Sequence, residues 1–145
     1  MKLKDILKAK GSTIFSIDPE KSVKDAIDLL VQFNVGSLMV IDEGRLVGIF
    51  SERDSLRLCA RDLDSILSTR IADVMTTDLI IGKLDDDVED SMNVMTEKRI
   101  RHLPVLDNGY VVGLVSLGDL VKSQLAEKTV TIHYLRDYIT GKDMR

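Results

Sequence analysis

The sequence has few of the residues that build disulfide, metal or aromatic sites. Its 145 residues include one cysteine, two histidines and no tryptophan. The single Cys59 excludes an internal disulfide framework and any multi-cysteine metal site. Residues 55–60 around it have a helical pattern, so we expect a buried or half-buried thiol rather than a reactive one.

Long apolar runs are missing as well. No stretch approaches the roughly 20 residues that span a bilayer. Residues 1–5 mix charges instead of forming the apolar segment of a signal peptide. We therefore expect a cytoplasmic protein with no membrane partner. Twenty basic and 24 acidic residues give a net charge of −4, which argues against a nucleic-acid partner.

The composition that is present suits one compact domain, because 44% of the residues are hydrophobic and 30% are charged. The clearest feature of the sequence is an internal repeat. Shifting the sequence by 65 residues aligns 22–54 with 87–119 without a gap, and ten of the 33 positions are identical. The identical positions include glycine, serine and aspartate as well as apolar residues, so the repeat is not an accident of composition.

Each copy predicts the same elements in the same order. A short amphipathic opening (3–7 and 71–75) precedes a strand (13–17 and 79–82) and a helix that Ser22 caps in the first copy. A hairpin follows (37–41 with 46–50, and 102–106 with 111–115), and then a helix begins near Ser51 or Ser116. From its opening to its first helix the first copy is three residues longer, around residues 8–13.

These elements predict an α/β (α+β) fold of tandem βαββα units packed sheet against sheet with pseudo-twofold symmetry. We expect repeat 1 at residues 1–60, a linker at 61–70, repeat 2 at 71–125 and a C-terminal helical tail at 126–145. One unit alone is too small to bury both faces of its sheet. The packing of two units leaves two related clefts between them, where a ligand would bind.

A serine and an aspartate three residues apart stand at each junction of strand and helix, as Ser51 with Asp54 and Ser116 with Asp119. In one interpretation each pair is a capping box that stabilises its helix by about 1 kcal/mol. In the other, the aspartate accepts hydrogen bonds from a ribose while the helix N-terminus faces a phosphate. Spacing alone favours the cap, although the two roles can coexist.

A basic cluster spans residues 98–104. Lys98 and Arg99 suit a helix C-terminus, where cations are favourable. Arg101 and His102 lie at the strand entrance, where a guanidinium can bind phosphate and an imidazole can add a donor. The first copy has glycine and serine at the matching positions 36 and 37. This asymmetry indicates that one copy handles phosphate.

Catalytic and metal motifs are missing from the sequence. It contains no HExxH, no Gly-x-Ser-x-Gly and no phosphate-binding P-loop. The acidic run at 85–87 is typical of a solvated helix start, because adjacent side chains fan out rather than converge on an ion. We therefore expect neither an enzyme nor a metal protein.

Three segments, 48–54, 99–105 and 113–119, resemble the motifs of the CBS domain pair, or Bateman module, and the resemblance extends over residues 3–125. The tail also looks like the ending of stand-alone CBS-pair proteins. The resemblance implies that AMP, ADP, ATP, NAD(H) or S-adenosylmethionine binds between the repeats. The family often has proline where Met39 stands and serine or threonine where Arg53 and Gly118 stand.

The resemblance also implies which residues form each site. In one cleft Asp119 would hold the ribose beside Leu114, Ser116 and Gly118, Arg101 and His102 would meet the phosphate, and Thr13, Ile14, Val35 and Gly36 would flank the adenine. In the other cleft Asp54 would hold the ribose, with Ser51 and Arg53 nearby and Leu79 and Ile80 bordering the base. We expect two unequal sites, with the Asp119 cleft the better formed.

The first hypothesis is therefore a non-catalytic sensor of adenine nucleotides with no obligatory cofactor, acting as a homodimer on an effector protein. The alternative is a protein-interaction adaptor with vestigial clefts, whose C-terminal helix docks a partner. A third hypothesis, the regulatory insert of an IMP dehydrogenase, is disfavoured because the chain starts at Met1 and ends in its own predicted helix.

Overall fold

Two three-stranded sheets, one from each copy, form the centre of the protein. The computed structural model describes residues 1–126. The first sheet has the order β1-β2-β3 and the second β4-β5-β6, with one parallel and one antiparallel pairing in each. The strands are β1 (Ser16–Ile17), β2 (Ser37–Asp42), β3 (Arg45–Ser51), β4 (Gly82–Lys83), β5 (His102–Asp107) and β6 (Tyr110–Ser116).

Within the part of the chain that the structure describes, five α-helices and one 3₁₀ turn accompany the sheets. They are α1 (Leu3–Lys10), α2 (Val23–Phe33), α3 (Glu52–Arg61), the 3₁₀ turn Ile71–Asp73, α4 (Val88–Lys98) and α5 (Leu117–Ala126). The predicted capping of α2 is confirmed, since the Ser22 hydroxyl accepts from the amide of Asp25 and the Asp25 carboxylate accepts from the amide of Ser22. Asp87 caps α4 in the same place, so the acidic run begins a helix as predicted.

The two hairpins repeat each other residue for residue. Ser37 pairs with Ser51 as His102 pairs with Ser116, and both ladders slip by one residue at the same point, after Val40 and after Val105. The turns use Glu43-Gly44 and Asn108-Gly109, all four with positive φ. That conformation matches the twist of a two-residue hairpin turn. The predicted repeat and its α+β fold are confirmed at this level.

The opening segment of each copy packs into the core of the other copy. Leu3, Ile6 and Leu7 of α1 are buried with Val88, Met95 and the other core residues of the second copy. Conversely, Ile66 and Ile71 are buried with the core residues of the first copy. Main-chain hydrogen bonds fix both exchanges, including Leu3 N to Asp86 O at 2.9 Å and Val23 N to Thr69 O at 2.8 Å. The two copies are therefore interlocked, and strands β3 and β6 contact each other across the pseudo-twofold axis.

Two glycines permit this close packing. A Cβ at Gly113 would lie 2.5 Å from Cδ2 of Leu7, and a Cβ at Gly48 would lie 2.5 Å from Sδ of Met75. Both distances are shorter than any ordinary contact. Each sheet therefore needs a residue without a side chain where the other copy's opening segment crosses it.

Some details differ from expectation. The first strand of each copy is only two residues long, shorter than the predicted 13–17 and 79–82. Thr13, Phe15, Leu79 and Ile80 line the clefts instead of belonging to the strands. Cys59 is exposed, so the expectation of a buried thiol is wrong: α3 turns it away from the core. The segment predicted as a linker contributes the buried Ile66. The predicted C-terminal helix lies outside the described residues apart from Ala126, and the repeat boundaries stay a prediction.

Within residues 1–126, none of the helices combines the length and the apolar character that crossing a bilayer requires.

The interlock predicts a specific coupling between Leu7 and Gly113. Leu7→Ala alone should cost about 2–5 kcal/mol of unfolding free energy, because it leaves a cavity. Gly113→Ala alone should cost about 1–3 kcal/mol through overpacking. The double variant should be more stable than the sum of these losses implies, since the missing leucine methyls make room for the new Cβ. Urea unfolding of all four proteins measures the coupling.

The control pairs Leu7→Ala with Gly48→Ala. Gly48 faces Met75 rather than Leu7, so these two losses should add to within about 0.5 kcal/mol. Additive losses for Leu7 and Gly113 would contradict the packing of α1 on the second copy.

Candidate ligand-binding clefts

Two clefts lie between the copies, each next to one strand-to-helix junction. The Asp119 cleft has a volume of about 300 Å³ and is lined by Lys10, Gly11, Thr13, Phe15, Val35, Gly36, Ser37, His102, Leu114, Ser116 and Asp119. The Asp54 cleft also measures about 300 Å³ and is lined by Gly36, Ser37, Ile49, Ser51, Glu52, Arg53, Asp54, Arg57, Thr76, Asp78, Leu79, Ile80, Arg99, Ile100, Arg101 and His102. Gly36, Ser37 and His102 line both, so the two clefts share a wall.

The two aspartates are fixed by the same local geometry. Asp54 Oδ2 accepts the amide of Ser51 at 2.9 Å while the Ser51 hydroxyl accepts the amide of Asp54 at 3.2 Å. Asp119 Oδ2 accepts the amide of Ser116 at 2.8 Å, and the Ser116 hydroxyl accepts the amide of Asp119 at 3.0 Å. The predicted caps are therefore present in both copies. Each cap also holds its carboxylate at the edge of a cleft, which makes the two interpretations of the motif compatible.

A lysine outside the predicted motifs forms an ion pair with the second aspartate. Lys10 Nζ lies 2.6 Å from Asp119 Oδ2 and 2.9 Å from the carbonyl oxygen of Leu114. Partial burial raises the pKa of Asp119, but the hydrogen bonds from Lys10 and Ser116 and the lysine charge outweigh burial and lower it below its usual value. Asp119 is therefore a carboxylate at neutral pH, already paired with a cation.

The first aspartate has a different neighbour. Thr76 Oγ1 lies 3.4 Å from Asp54 Oδ1. Among the salt bridges of the described residues, none involves Asp54. Its carboxylate is therefore more open to a ligand's hydroxyl groups than that of Asp119.

Arginines concentrate in the Asp54 cleft. Arg53 and Arg57 come from α3, while Arg99 and Arg101 come from the end of α4 and the segment before β5. Arg99 is in the left-handed region with φ 57°, which is uncommon for a long side chain. A planar guanidinium group can bind two phosphate oxygens at once. The Asp54 cleft therefore suits a phosphate-bearing ligand. A second groove of about 560 Å³ adjoins it, sharing Asp54, Arg57 and Thr76.

His102 lies on the wall that the clefts share. Burial is the largest influence on the pKa of His102 and lowers it, the charge of Asp119 opposes that effect, and the charges of Lys10 and Arg101 lower it further. The imidazole is therefore neutral near pH 7. In that form it still offers one N–H donor and one acceptor nitrogen.

The structure distributes the predicted residues between the clefts differently from the expected grouping. Thr13, Val35, Gly36, His102, Leu114, Ser116 and Asp119 line the Asp119 cleft, and Ser51, Arg53, Asp54, Leu79 and Ile80 line the Asp54 cleft. Arg101, expected beside Asp119, instead lines the Asp54 cleft. Ile14 and Gly118 are not among the residues lining either one. The assignment of these residues to a ligand stays a prediction.

Several lining residues belong to no short motif, and the sequence did not predict them as site residues. They are Lys10, Phe15, Ser37, Arg57, Thr76 and Asp78. One signal for Lys10 was present in the sequence, because it falls in the three extra residues of the first copy. Arg57 lies four residues after Arg53, so helical spacing placed both on one face of α3. No cluster of three or more potential metal-ligating side chains occurs in residues 1–126.

Comparison with known proteins identifies the family. The family model of the CBS domain matches residues 3–59 and again 71–126. The chain belongs to the CBS domain family. Two curated relatives of this CBS-domain pair are CBSX3, a mitochondrial CBS domain-containing protein of Arabidopsis thaliana, and YhcV of Bacillus subtilis. CBSX3 is 34% identical over 96% of this chain and 72% of its own length. YhcV is 33% identical over 80% of this chain and 82% of its own length.

Solved structures agree. The crystal structure of the CBS-domain protein ATU1752 from Agrobacterium tumefaciens has a TM-score of 0.81 and 31% identity, covering 86% of this chain and 99% of that one. CBSX2 in complex with AMP has a TM-score of 0.70 and 31% identity over 79% and 90% of the two chains. The CBS domain pair of MJ0100, in complex with 5′-methylthioadenosine and S-adenosylmethionine, has a TM-score of 0.77 and 27% identity over 88% and 98%.

The lowered pKa of His102 predicts how stability depends on pH. Between the unfolded value of about 6.5 and the lower folded pKa, the unfolded chain binds the extra proton and the folded protein does not. The free energy of unfolding should therefore fall, and the protein become less stable, as the pH drops from about 7.5 to about 5.5. The lowered pKa of Asp119 changes the free energy of unfolding only near and below the unfolded pKa of about 3.9, which is outside this range.

Urea unfolding at several pH values, with wild type and His102→Gln, measures this effect. The two proteins share every other titratable group, so the difference between their pH slopes isolates His102. We expect a shallower slope in the variant, and equal slopes would contradict a depressed pKa.

Proposed function

We propose that this CBS-domain pair is a non-catalytic regulatory module that binds an adenine nucleotide between its two copies. The observation on which this depends is the Asp54 cleft, which is lined by a capped carboxylate and by four arginines. A carboxylate can accept hydrogen bonds from both hydroxyls of a ribose, and guanidinium groups can bind the phosphates. A nucleotide presents these two groups at opposite ends of one ribose phosphate.

The known relatives support an adenosine-containing ligand. CBSX2 is bound to AMP, and the MJ0100 pair is bound to 5′-methylthioadenosine and S-adenosylmethionine. The apolar lining of the Asp54 cleft, Leu79, Ile80 and Ile100, offers a surface for a purine base. We propose AMP, ADP, ATP or NAD(H) as the ligand class, with the phosphate end against the arginines.

The distribution of arginines changes which cleft we favour. Because Arg53 and Arg101 line the same cleft, the Asp54 cleft is the better candidate for binding phosphate, in place of the Asp119 cleft that the sequence favours. A ligand that contacts both copies would stabilise one arrangement of them over others, which is how a non-catalytic ligand can regulate. A homodimer that presents this arrangement to an effector protein completes the proposal.

One observation favours the alternative of a protein-interaction adaptor. Leu56 on α3 is 69% exposed, and Leu63 and Leu67 after it are 65% and 58% exposed. All three lie within residues 56–67, and exposed apolar residues that form a patch are typical of protein contacts. Native mass spectrometry of the purified protein separates the two functions, since a retained adenine nucleotide supports the sensor and consistently empty protein supports the adaptor.

Calorimetric titration with ADP tests the proposed site. Asp54→Ala should weaken binding in its cleft about tenfold or more, because it removes hydrogen bonds to a charged acceptor. Asp119→Ala should weaken the other cleft in the same way. Asp28→Ala is the matched control, since Asp28 is an exposed carboxylate that pairs with Lys24 away from both clefts. Binding that ignores both cleft variants would contradict the proposed sites.

A second titration tests the role of the arginines. Arg101→Gln should weaken ADP binding by about threefold to tenfold through the lost phosphate contact, and leave adenosine binding unchanged. Arg45→Gln removes the same charge from the exposed start of β3 and should change neither. An equal loss for ADP and adenosine would show that Arg101 does not contact phosphate.

A further inference from the structure

The two clefts differ in the charge that faces the aspartate. In the Asp119 cleft the described charged lining residues are Lys10 and Asp119, which neutralise each other. In the Asp54 cleft Thr76 takes the corresponding place with an uncharged hydroxyl. At the aspartate itself, the difference between the clefts is therefore one ammonium group, which lies directly on the carboxylate that a ribose would use.

The three extra residues of the first copy bring this ammonium into place. Leu7 lies over Gly113 as Met75 lies over Gly48, so the two openings superimpose at those residues. Beyond that point α1 continues for nearly one more turn, to Lys10. Gly11 then ends the helix with φ 92°, and its amide donates to the carbonyl oxygen of Leu7. In the second copy the 3₁₀ turn ends at Asp73, and no helical turn extends over Asp54.

The position of Lys10 is well defined. Leu3, Ile6 and Leu7 anchor its helix in the core of the second copy. Its ammonium donates to two acceptors, the carbonyl oxygen of Leu114 and the carboxylate of Asp119. The side chains of Lys10 and Asp119 are 38% and 27% exposed, so the pair borders the cleft without being sealed from it.

We propose that Lys10 makes the Asp119 cleft selective for anionic nucleotides over neutral nucleosides. This inference rests on the proposed function. Lys10 and the amide of Ser116 both donate to Oδ2 of Asp119. A ribose whose two hydroxyls use both carboxylate oxygens must therefore displace the ammonium from Oδ2. A nucleoside then leaves the ammonium with the carbonyl oxygen of Leu114 alone, so the ion pair with Asp119 is lost and nothing replaces it. A nucleotide supplies a phosphate that takes over the charge, so only the anionic ligand recovers the lost ion pair.

The selectivity follows from an exchange of partners rather than from an added contact. Lys10 competes with every ribose for Asp119, and that competition weakens nucleosides and nucleotides alike. The phosphate compensates only the nucleotides. Removing the ammonium should therefore strengthen adenosine binding much more than AMP binding, a pattern that a purely structural role for Lys10 would not produce.

The test isolates this cleft by using Asp54→Ala as the parent protein, titrated with adenosine and with AMP in a calorimeter. In the parent we expect AMP to bind about tenfold or more tightly than adenosine. In the parent with Lys10→Met the ratio should fall to about threefold or less, with adenosine binding more tightly than before. Lys10→Arg keeps the charge and should preserve the preference for AMP.

Lys8→Met is the matched control, because Lys8 is an exposed lysine of the same last turn that lines neither cleft. It should leave the ratio unchanged. An unaltered ratio in Lys10→Met, or an equal change in Lys8→Met, would overturn the role of Lys10 while leaving nucleotide binding intact. A parent that binds neither ligand would instead contradict the nucleotide assignment of the Asp119 cleft, and with it the inference.

Discussion

The burial of each opening segment in the opposite copy is the constraint on which the rest of the structure depends. Leu3, Ile6 and Leu7 complete a core that the second copy cannot close alone, and Ile71 does the same for the first. A sheet of three strands with two helices leaves apolar surface open, and burying it supplies the main favourable term in folding. Because the exchange is mutual, neither copy can leave the other without exposing its own core. The clefts are the gaps that this closure leaves, so their walls always come from both halves.

Stability and recognition share residues at the cleft edges. The serine and aspartate of each motif satisfy the free amides of a helix start, a requirement that exists with or without a ligand. The same bonds restrict the rotamers of both aspartates and hold their carboxylates at the edge of the cleft. The carboxylates of both candidate sites are therefore held in place without a ligand, and such preorganisation would reduce the ordering cost of binding. The cleft arginines are exposed and depend less on the fold.

Much of the fold could be predicted from sequence because the repeat states every element twice. Short, mostly apolar runs on either side of glycine-containing turns define the hairpins, and Ser22 and Asp25 mark a helix start. The site was less predictable. Arg101 and His102 are neighbours at a strand entrance, and successive side chains there leave on opposite sides. Sequence gives that alternation but not which side faces which cleft, so it cannot show that Arg101 lines the Asp54 cleft rather than the Asp119 cleft. The burial of Ile66 likewise depends on a long-range contact that no local pattern encodes.

The shared wall of Gly36, Ser37 and His102 means that the two clefts are not independent compartments. Any occupant that shifts these residues or the electrostatic potential around them alters the neighbouring cavity too. Linkage makes such an influence reciprocal, since the free energy by which one occupant changes the other's affinity is the same in both directions. If both clefts bind a ligand, the shape of the binding curve depends on the cooperativity that the shared residues transmit between them. The state of the protein would then depend on the occupancy of the two clefts in combination, and not on each ligand concentration separately.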